Sequence, residues 1–336
     1  MNILITGGCG FLGARLARTL LAQDTLALCG APAQPVARIT LADRVPPPDD
    51  LAADPRIAFV EGDLNALIGS GQLPAAGTAL VFHLAAAVSG ECEADFDLGL
   101  RSNFDATRAL LQACRALGTR PAFVFSSSVA VFGDSPEQPL PPVIDDRTLP
   151  TPQNSYGIQK FIGEQLVADF TRKGFVQGRN VRLMTVSVRP GRPNGAASSF
   201  LSGMLREPLA GVRATVPVPP ETAVALSSPA NTVRGLLRAA EAGDAEWGAR
   251  TAVNLPALST TVREMAAALE RVAGPAATAL LDWQPDPAVA KIVTSWPSRV
   301  ETARAQALGL RADSGFEAVL RDYVRENPGA VKLEVR

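Results

Sequence analysis

The sequence predicts an α/β protein with a doubly wound, mainly parallel sheet and a smaller C-terminal region. Three observations carry that expectation. Short β-rich apolar runs alternate with segments of helical spacing through the first half of the chain. A glycine-rich turn joins the first such run to the first such helix. Beyond Arg189 the alternation fails, and Gly, Pro and Ser crowd the chain as far as Pro229.

The elements follow in order. Residues 2–6 form an apolar run closed by glycines, and residues 11–22 carry Leu12, Leu16 and Leu20 on one helical face. Residues 39–42, 57–60 and 80–84 are short β-rich runs. Residues 103–117 read as a helix, with Ala106, Leu110, Ala113 and Leu117 along one stripe. A fifth strand at 122–125, a long helix at 155–172 and a sixth strand at 181–188 complete the series. Strands separated by helices need right-handed crossovers, which make the sheet parallel. Proline marks surface loops at 46–48 and 136–152. The expected boundary falls at residue 189. Residues 190–336 then form mainly a substrate-binding region, with some segments returning to the first domain.

Composition narrows the function. With 336 residues, 47% hydrophobic and 19% charged, the chain can bury a large core and is not disordered. The 32 basic and 33 acidic side chains leave a net charge of -1, which gives no footprint for nucleic acid. One histidine, His83, excludes a multi-histidine metal cage. The four cysteines form no C-x-x-C pair, so a reducing, cytoplasmic setting without a disulfide framework is expected. The start, MNILITGG, lacks the basic and apolar regions of a secretory leader. The longest apolar run, 79–88, falls short of the ~20 residues of a membrane helix, so no membrane partner is expected.

The glycine turn, Thr6-Gly7-Gly8-Cys9-Gly10-Phe11-Leu12-Gly13, has the geometry of a dinucleotide site. Gly7 permits the tight turn, Gly10 lets the backbone approach a pyrophosphate, and Gly13 allows close helix–strand packing. Asp43 closes the second strand, where a carboxylate binds the adenosine ribose hydroxyls and repels a 2′-phosphate. This favours NAD, although Arg44 beside it leaves NADP open. Asp63, after the third strand, is a candidate for the adenine amino group.

The strongest signal is Tyr156-Gly157-Ile158-Gln159-Lys160. With two tyrosines and four lysines in the chain, this spacing would arise by chance in only about 2% of such chains. On a helix the pair shares one face. A tyrosine titrates near ~10, so basic action near neutrality requires a shift of about three units. A lysine ammonium and an oxidised nicotinamide can supply it electrostatically. Ser126-Ser127-Ser128 adds hydroxyls at the carboxyl end of the fifth strand, where open α/β sheets bind ligands. His83, inside an apolar strand, reads as a structural hydrogen-bonding residue, and Cys9 as a small side chain in the glycine turn.

Together these motifs resemble the extended short-chain dehydrogenase/reductase family, which includes nucleotide-sugar epimerases and dehydratases. The matching stretches are TGGCGFLG, GDL at 62–64, HLAA at 83–86, FSSSVAVFG at 125–133 and YGIQK, with weaker likeness at 254–268 and 296–310. The resemblance implies a Rossmann domain over 1–189 that binds NAD, and a homodimer. It implies Ser128, Tyr156 and Lys160 as catalytic residues. Cofactor contacts are implied at Gly7, Gly10, Phe11, Leu12, Gly13, Asp43, Asp63, Leu64, Leu84, Ala85, Ala86 and Asn103, with Tyr156 and Lys160. Asn103 also matches the asparagine that helps hold the active-site region together. Residues 225–229 (ALSSP) and 188–200 depart from the nucleotide-sugar pattern. With 88–99 they are similar to a branch that oxidises a four-carbon sugar acid at C2. A sugar acid presents a planar carboxylate, best met by an arginine fork with hydroxyl and amide support. Arg192, Asn194, Ser198 and Ser199 offer that set after the sixth strand. Ser89, Ser128, Tyr156 and Arg234 are further substrate candidates. Two rivals remain: a nucleotide-sugar 4-epimerase or dehydratase, and a non-catalytic NAD(H)-binding sensor.

Overall fold

The computed structural model describes residues 1–191 and 195–336. The chain divides into two compact units. One comprises Met1–Val131, Asn154–Arg182 and Val233–Val253; the other comprises Phe132–Gln153, Leu183–Thr232 and Asn254–Arg336.

The first unit is built on β1 (Asn2–Thr6), α1 (Phe11–Gln23), β2 (Arg38–Asp43), β3 (Ile57–Glu61), α2 (Leu64–Gly69), β4 (Thr78–His83), α3 (Ser89–Ala94), α4 (Ala106–Ala116), β5 (Ala122–Ser128), α5 (Ser155–Arg172) and β6 (Gln177–Leu183). Its seven-stranded sheet runs β3-β2-β1-β4-β5-β6, with Val253–Asn254 at the far edge. The β3-β2, β2-β1, β1-β4 and β4-β5 ladders are parallel. From β1 the chain winds outward through β2 and β3, then returns to lay β4 on the other side of β1. The reversal opens a crevice at the carboxyl ends of β1 and β4, the switch point of a doubly wound sheet. Buried Leu4, Val81, Phe123 and Phe125 pack against Leu110, Leu111 and Val167 of α4 and α5. The core is thus formed by strand residues meeting the apolar stripes of crossover helices.

In the second unit, helix Phe200–Leu209 buries Met204 and Leu205 in a cluster with Met265, Leu269 and Leu320. Strand Ala223–Ser227 pairs antiparallel with Leu258–Thr261 and parallel with Thr185–Val186.

Two elements differ from the sequence-based expectation. The sixth strand is not 181–188: β6 runs Gln177–Leu183, and Thr185–Val186 belongs to a different sheet. Its buried positions include Arg179, Asn180 and Arg182, which bond internal partners, and their polarity hides the strand from an apolar pattern. The segment expected to be helical from residue 103 begins as a π-turn, Leu100–Asp105, before regular α4 starts at Ala106. Among the described residues, no helix is long and apolar enough to cross a membrane.

Candidate active site

The glycine turn hangs from the end of β2. The Gly7 and Gly8 N–H groups both donate to Ala42 O, at 2.9 and 3.4 Å. Gly7 has φ +67°, and a Cβ there would lie 2.8 Å from the Ala85 nitrogen. A Cβ on Gly13 would lie 2.2 Å from Gly7 O, so only glycine lets α1 start this close to the turn. Gly10 is different, because its Cβ would meet nothing nearer than Gly7 O at 3.4 Å. Gly10 caps α1 with no side-chain hydrogen bond, which leaves the first-turn N–H groups for an anion.

Gly7 and Gly10 line a cleft of about 430 Å³ with Phe11, Asp43, Asp63, Leu64, Leu84, Ala85 and Ala86. Asp43 accepts from the Cys9 N–H at 3.0 Å through one oxygen and from its neighbour Arg44 N–H at 2.7 Å through the other. It therefore ties the glycine turn to β2 and still has lone pairs facing the cleft. Burial and the nearby Asp43 carboxylate push the Cys9 thiol up to about 11, so it is no nucleophile near neutrality. Asp63 caps α2, accepting from the Asn65 and Ala66 N–H groups, and pairs with Arg44. Chiefly through that pairing, Asp63 titrates below the usual carboxylate range.

Helix α5 delivers the tyrosine and lysine. Asn154 caps it by accepting from the Gly157 N–H at 2.8 Å, which places half-buried Tyr156 in the first turn. Lys160 is 3% exposed; its Nζ donates to Ser126 O at 2.8 Å and lies 5.7 Å from the Tyr156 ring centroid and 5.0 Å from that of Phe125. Burial pulls its pKa down to about 8 against the favourable pull of Glu164. One of three ammonium donors is used by Ser126, so two remain for ligand hydroxyls. Ser128 Oγ ends β5 half-buried and accepts from the Ala130 N–H at 3.1 Å.

Asn103 does not line the cleft. Its amide donates to Ala87 O at 3.1 Å and to Gln159 Oε1 at 2.8 Å, and its oxygen accepts from the Ala87 N–H at 2.8 Å. It joins the loop after β4 to α5. Leu12 and Gly13 likewise do not line the cleft. Of the substrate candidates, Ser89 is buried at the start of α3 and Arg234 is exposed on helix Pro229–Glu241. Ser198 and Ser199 lie in the turn before Phe200–Leu209, in the second unit. Arg192 and Asn194 lie outside the described residues.

Sequence reasoning missed the buried polar layer beneath this site. Glu164 accepts from Ser127 Oγ at 2.5 Å and from both arms of Arg182, at 2.8 and 2.7 Å. Its spacing, four residues beyond Lys160, was the available signal, because the two share a helix face. His83 bridges Thr6 and Thr107 through its two ring nitrogens.

The comparisons agree with this architecture. Residues 3–245 match the model of the NAD dependent epimerase/dehydratase family. The chain is similar to a D-erythronate dehydrogenase of Cupriavidus necator, with 50% identity over 99% of this chain and 100% of that protein. A second D-erythronate dehydrogenase, of Haemophilus influenzae, is 42% identical over 96% of this chain and 99% of that one. Among solved structures, a nucleoside-diphosphate-sugar epimerase from Agrobacterium tumefaciens superposes with a TM-score of 0.88. It is 38% identical, covering 98% of this chain and 95% of its own.

Proposed function

From the premise that this chain belongs to the NAD dependent epimerase/dehydratase family, we propose that it is an NAD-dependent dehydrogenase that oxidises D-erythronate at its C2 hydroxyl to the 2-oxo acid. The observation that supports the reading is buried Lys160, which lies 5.7 Å from the Tyr156 ring centroid and donates to Ser126 O, two residues before Ser128 at the carboxyl end of β5, in the unit that also holds the glycine-turn cleft. Identity of 50% and 42% over nearly the whole chain to two D-erythronate dehydrogenases supports the substrate. The nucleoside-diphosphate-sugar epimerase likeness, at 38%, supports the rival less strongly.

The residues fit NAD. The uncapped start of α1 would hold the pyrophosphate, the Asp43 carboxylate the adenosine ribose, and Lys160 the nicotinamide ribose. Arg44 is already paired with Asp63, which disfavours its use on a 2′-phosphate. When bound, NAD supplies the acceptor for the hydride that leaves C2. Tyr156, as phenolate, takes the proton from the C2 hydroxyl, and the Lys160 ammonium stabilises that phenolate. Ser128 donates a hydrogen bond to the oxygen as it becomes a carbonyl. The substrate carboxylate is assigned to Arg192, with Asn194, Ser198, Ser199, Ser89 and Arg234 as supporting candidates.

We place the enzyme in the cytoplasm, on the strength of four free cysteines, and as a homodimer. Phe96 (60% exposed) and Ile158 (46% exposed) are apolar side chains that a second copy would cover.

The test is NADH formation from D-erythronate, followed by absorbance, in the wild type and in Tyr156→Phe. General acid–base catalysis is worth roughly 10²–10⁴ in rate, so the variant should lose at least a hundredfold in kcat while binding NADH normally. An epimerase would form no net NADH, and a sensor would bind NADH without turnover. Wild-type turnover in the variant would remove Tyr156 from the mechanism.

A further inference from the structure

The first unit contains a second cavity, of about 340 Å³, that the dehydrogenase reaction does not use. Its walls are Arg120 before β5, Thr171 at the end of α5, Arg179 in β6, and the segment from Asp244 to Arg250. The Gln177 N–H donates to Pro121 O at 3.0 Å, so β5 and β6 begin side by side here. The nucleotide cleft lies at the opposite, carboxyl rim. The seven residues of β5 put about 20 Å between the two sites.

Three guanidinium groups and a single carboxylate line this hollow. Arg179 is buried; it donates to Asp244 at 2.8 Å, to Ala242 O at 3.0 Å and to Gly178 O at 3.2 Å. Its Cζ lies 5.4 Å from the Trp247 ring centroid, and its buried Nε has no hydrogen-bond acceptor. The bond from Arg179 holds Asp244 below the usual carboxylate range, so Asp244 is ionised near neutrality. Arg120, half exposed, reaches Asp244 only at 3.6 Å. Arg250 is exposed and has no ion-pair partner among the described residues.

A purely structural account needs only the pair Arg179–Asp244. It leaves two further cations gathered around a hollow whose one carboxylate, already held by Arg179 and only 3.6 Å from Arg120, cannot neutralise all three, an arrangement that repulsion disfavours unless an anion visits it. The excess is two positive charges. The cationic groups come from three separate chain segments, which suits a tetrahedral anion met from several sides. A planar carboxylate would be satisfied by a single guanidinium fork.

We propose that this cavity binds a small dianionic phosphate, either inorganic phosphate or the phosphate group of a monoester. Arg179 and Trp247 form its floor, and Arg120 and Arg250 close on the anion from the rim. Helix α5 carries Tyr156 and Lys160 near its start and Thr171 at this cavity, so one rigid element touches both sites.

The test is calorimetric titration at fixed ionic strength of NAD-saturated protein, so that the pyrophosphate subsite is already filled. Inorganic phosphate is one probe and glycerol 3-phosphate the other. The wild type should show one saturable site. Arg250→Ala should weaken it roughly tenfold or more, and Arg120→Ala/Arg250→Ala should abolish it. Both variants should keep the wild-type NAD affinity and melting temperature, since both side chains are exposed. The tighter of the two probes identifies the site as one for free phosphate or for a phosphorylated metabolite. The proposal is overturned if neither probe gives saturable binding, or if the double variant binds as the wild type does.

Discussion

His83 should make the fold acid-labile in a defined window, and the hydrogen bonds around it say why. It is the single histidine of the chain and is 1% exposed. The Thr107 hydroxyl donates its proton to Asn103 O at 2.6 Å, so toward His83 Nε2, at 2.9 Å, it can only accept. Thr6 Oγ1 accepts from the Ala85 N–H at 3.3 Å and donates to Nδ1 at 2.7 Å. The imidazole is therefore held neutral with its proton on Nε2. Burial first, and the Lys160 ammonium second, push its pKa down to about 3.

The direction of the pH effect follows. An unfolded histidine takes up a proton near pH ~6.5 while the folded one does not, so stability falls as pH drops from there toward 3. The slope is about 1.4 kcal/mol per pH unit, and the whole window amounts to roughly 5 kcal/mol. His83→Gln is the matched control, because an amide can donate to Thr107 and accept from Thr6 without titrating. Urea denaturation of both proteins between pH 7.5 and 4.5 isolates the histidine from the carboxylates they share. The wild type should lose about 2.6 kcal/mol more than the variant between pH 7.5 and 4.5. Parallel stability curves would refute the reasoning. So would a native imidazole C–H resonance that titrates near the value of a free histidine.

Two further predictions concern ligands. Asp43→Ala should narrow the preference for NAD over NADP in kcat/KM by roughly ten- to a hundredfold, by removing both an acceptor for the ribose and a like-charge penalty. It should also weaken NAD binding itself, because the Cys9 N–H loses its acceptor; an unchanged NAD:NADP ratio assigns the selection to another residue. Arg192→Ala should raise KM for the sugar acid roughly ten- to a hundredfold and leave KM for NAD unchanged. If both constants hold, the carboxylate anchor lies elsewhere, and Arg234→Ala is the next variant to measure.

The glycine turn and the Tyr156/Lys160 pair were legible in the sequence because their constraints are local. A tight turn needs glycine at fixed offsets, and a helix brings residues four apart together. The alternation of strands and helices was legible for a related reason, since a strand covered on both faces and a helix covered on one leave different apolar periods. β6 escaped because three of its buried residues are Arg179, Asn180 and Arg182, and their partners lie far along the chain at Asp244 and Glu164. No local period records a charge that is neutralised by a residue many positions away. The turn of π-helix at Leu100–Asp105 was hidden similarly: Asn103 bonds the Ala87 backbone and Gln159, and neither partner shares its element.

That unread polar layer explains how the legible residues come to act together. Tyr156, Lys160 and Glu164 follow one another at four-residue spacing along α5. Lys160 donates to the carbonyl of Ser126, and Glu164 accepts from the hydroxyl of Ser127, the next residue of β5. The helix is thus pinned to consecutive strand residues immediately before Ser128. Arg182 of β6 grips Glu164 with both arms from the neighbouring strand. Removing one partner of such a buried ion pair costs about 3–5 kcal/mol. Charged and hydrogen-bonded contacts therefore fix the register of α5 on β5 together with the packing of Val167 against Phe123 and Phe125. It is this register that fixes Lys160, and with it the first turn that carries Tyr156, against the end of β5 just before Ser128.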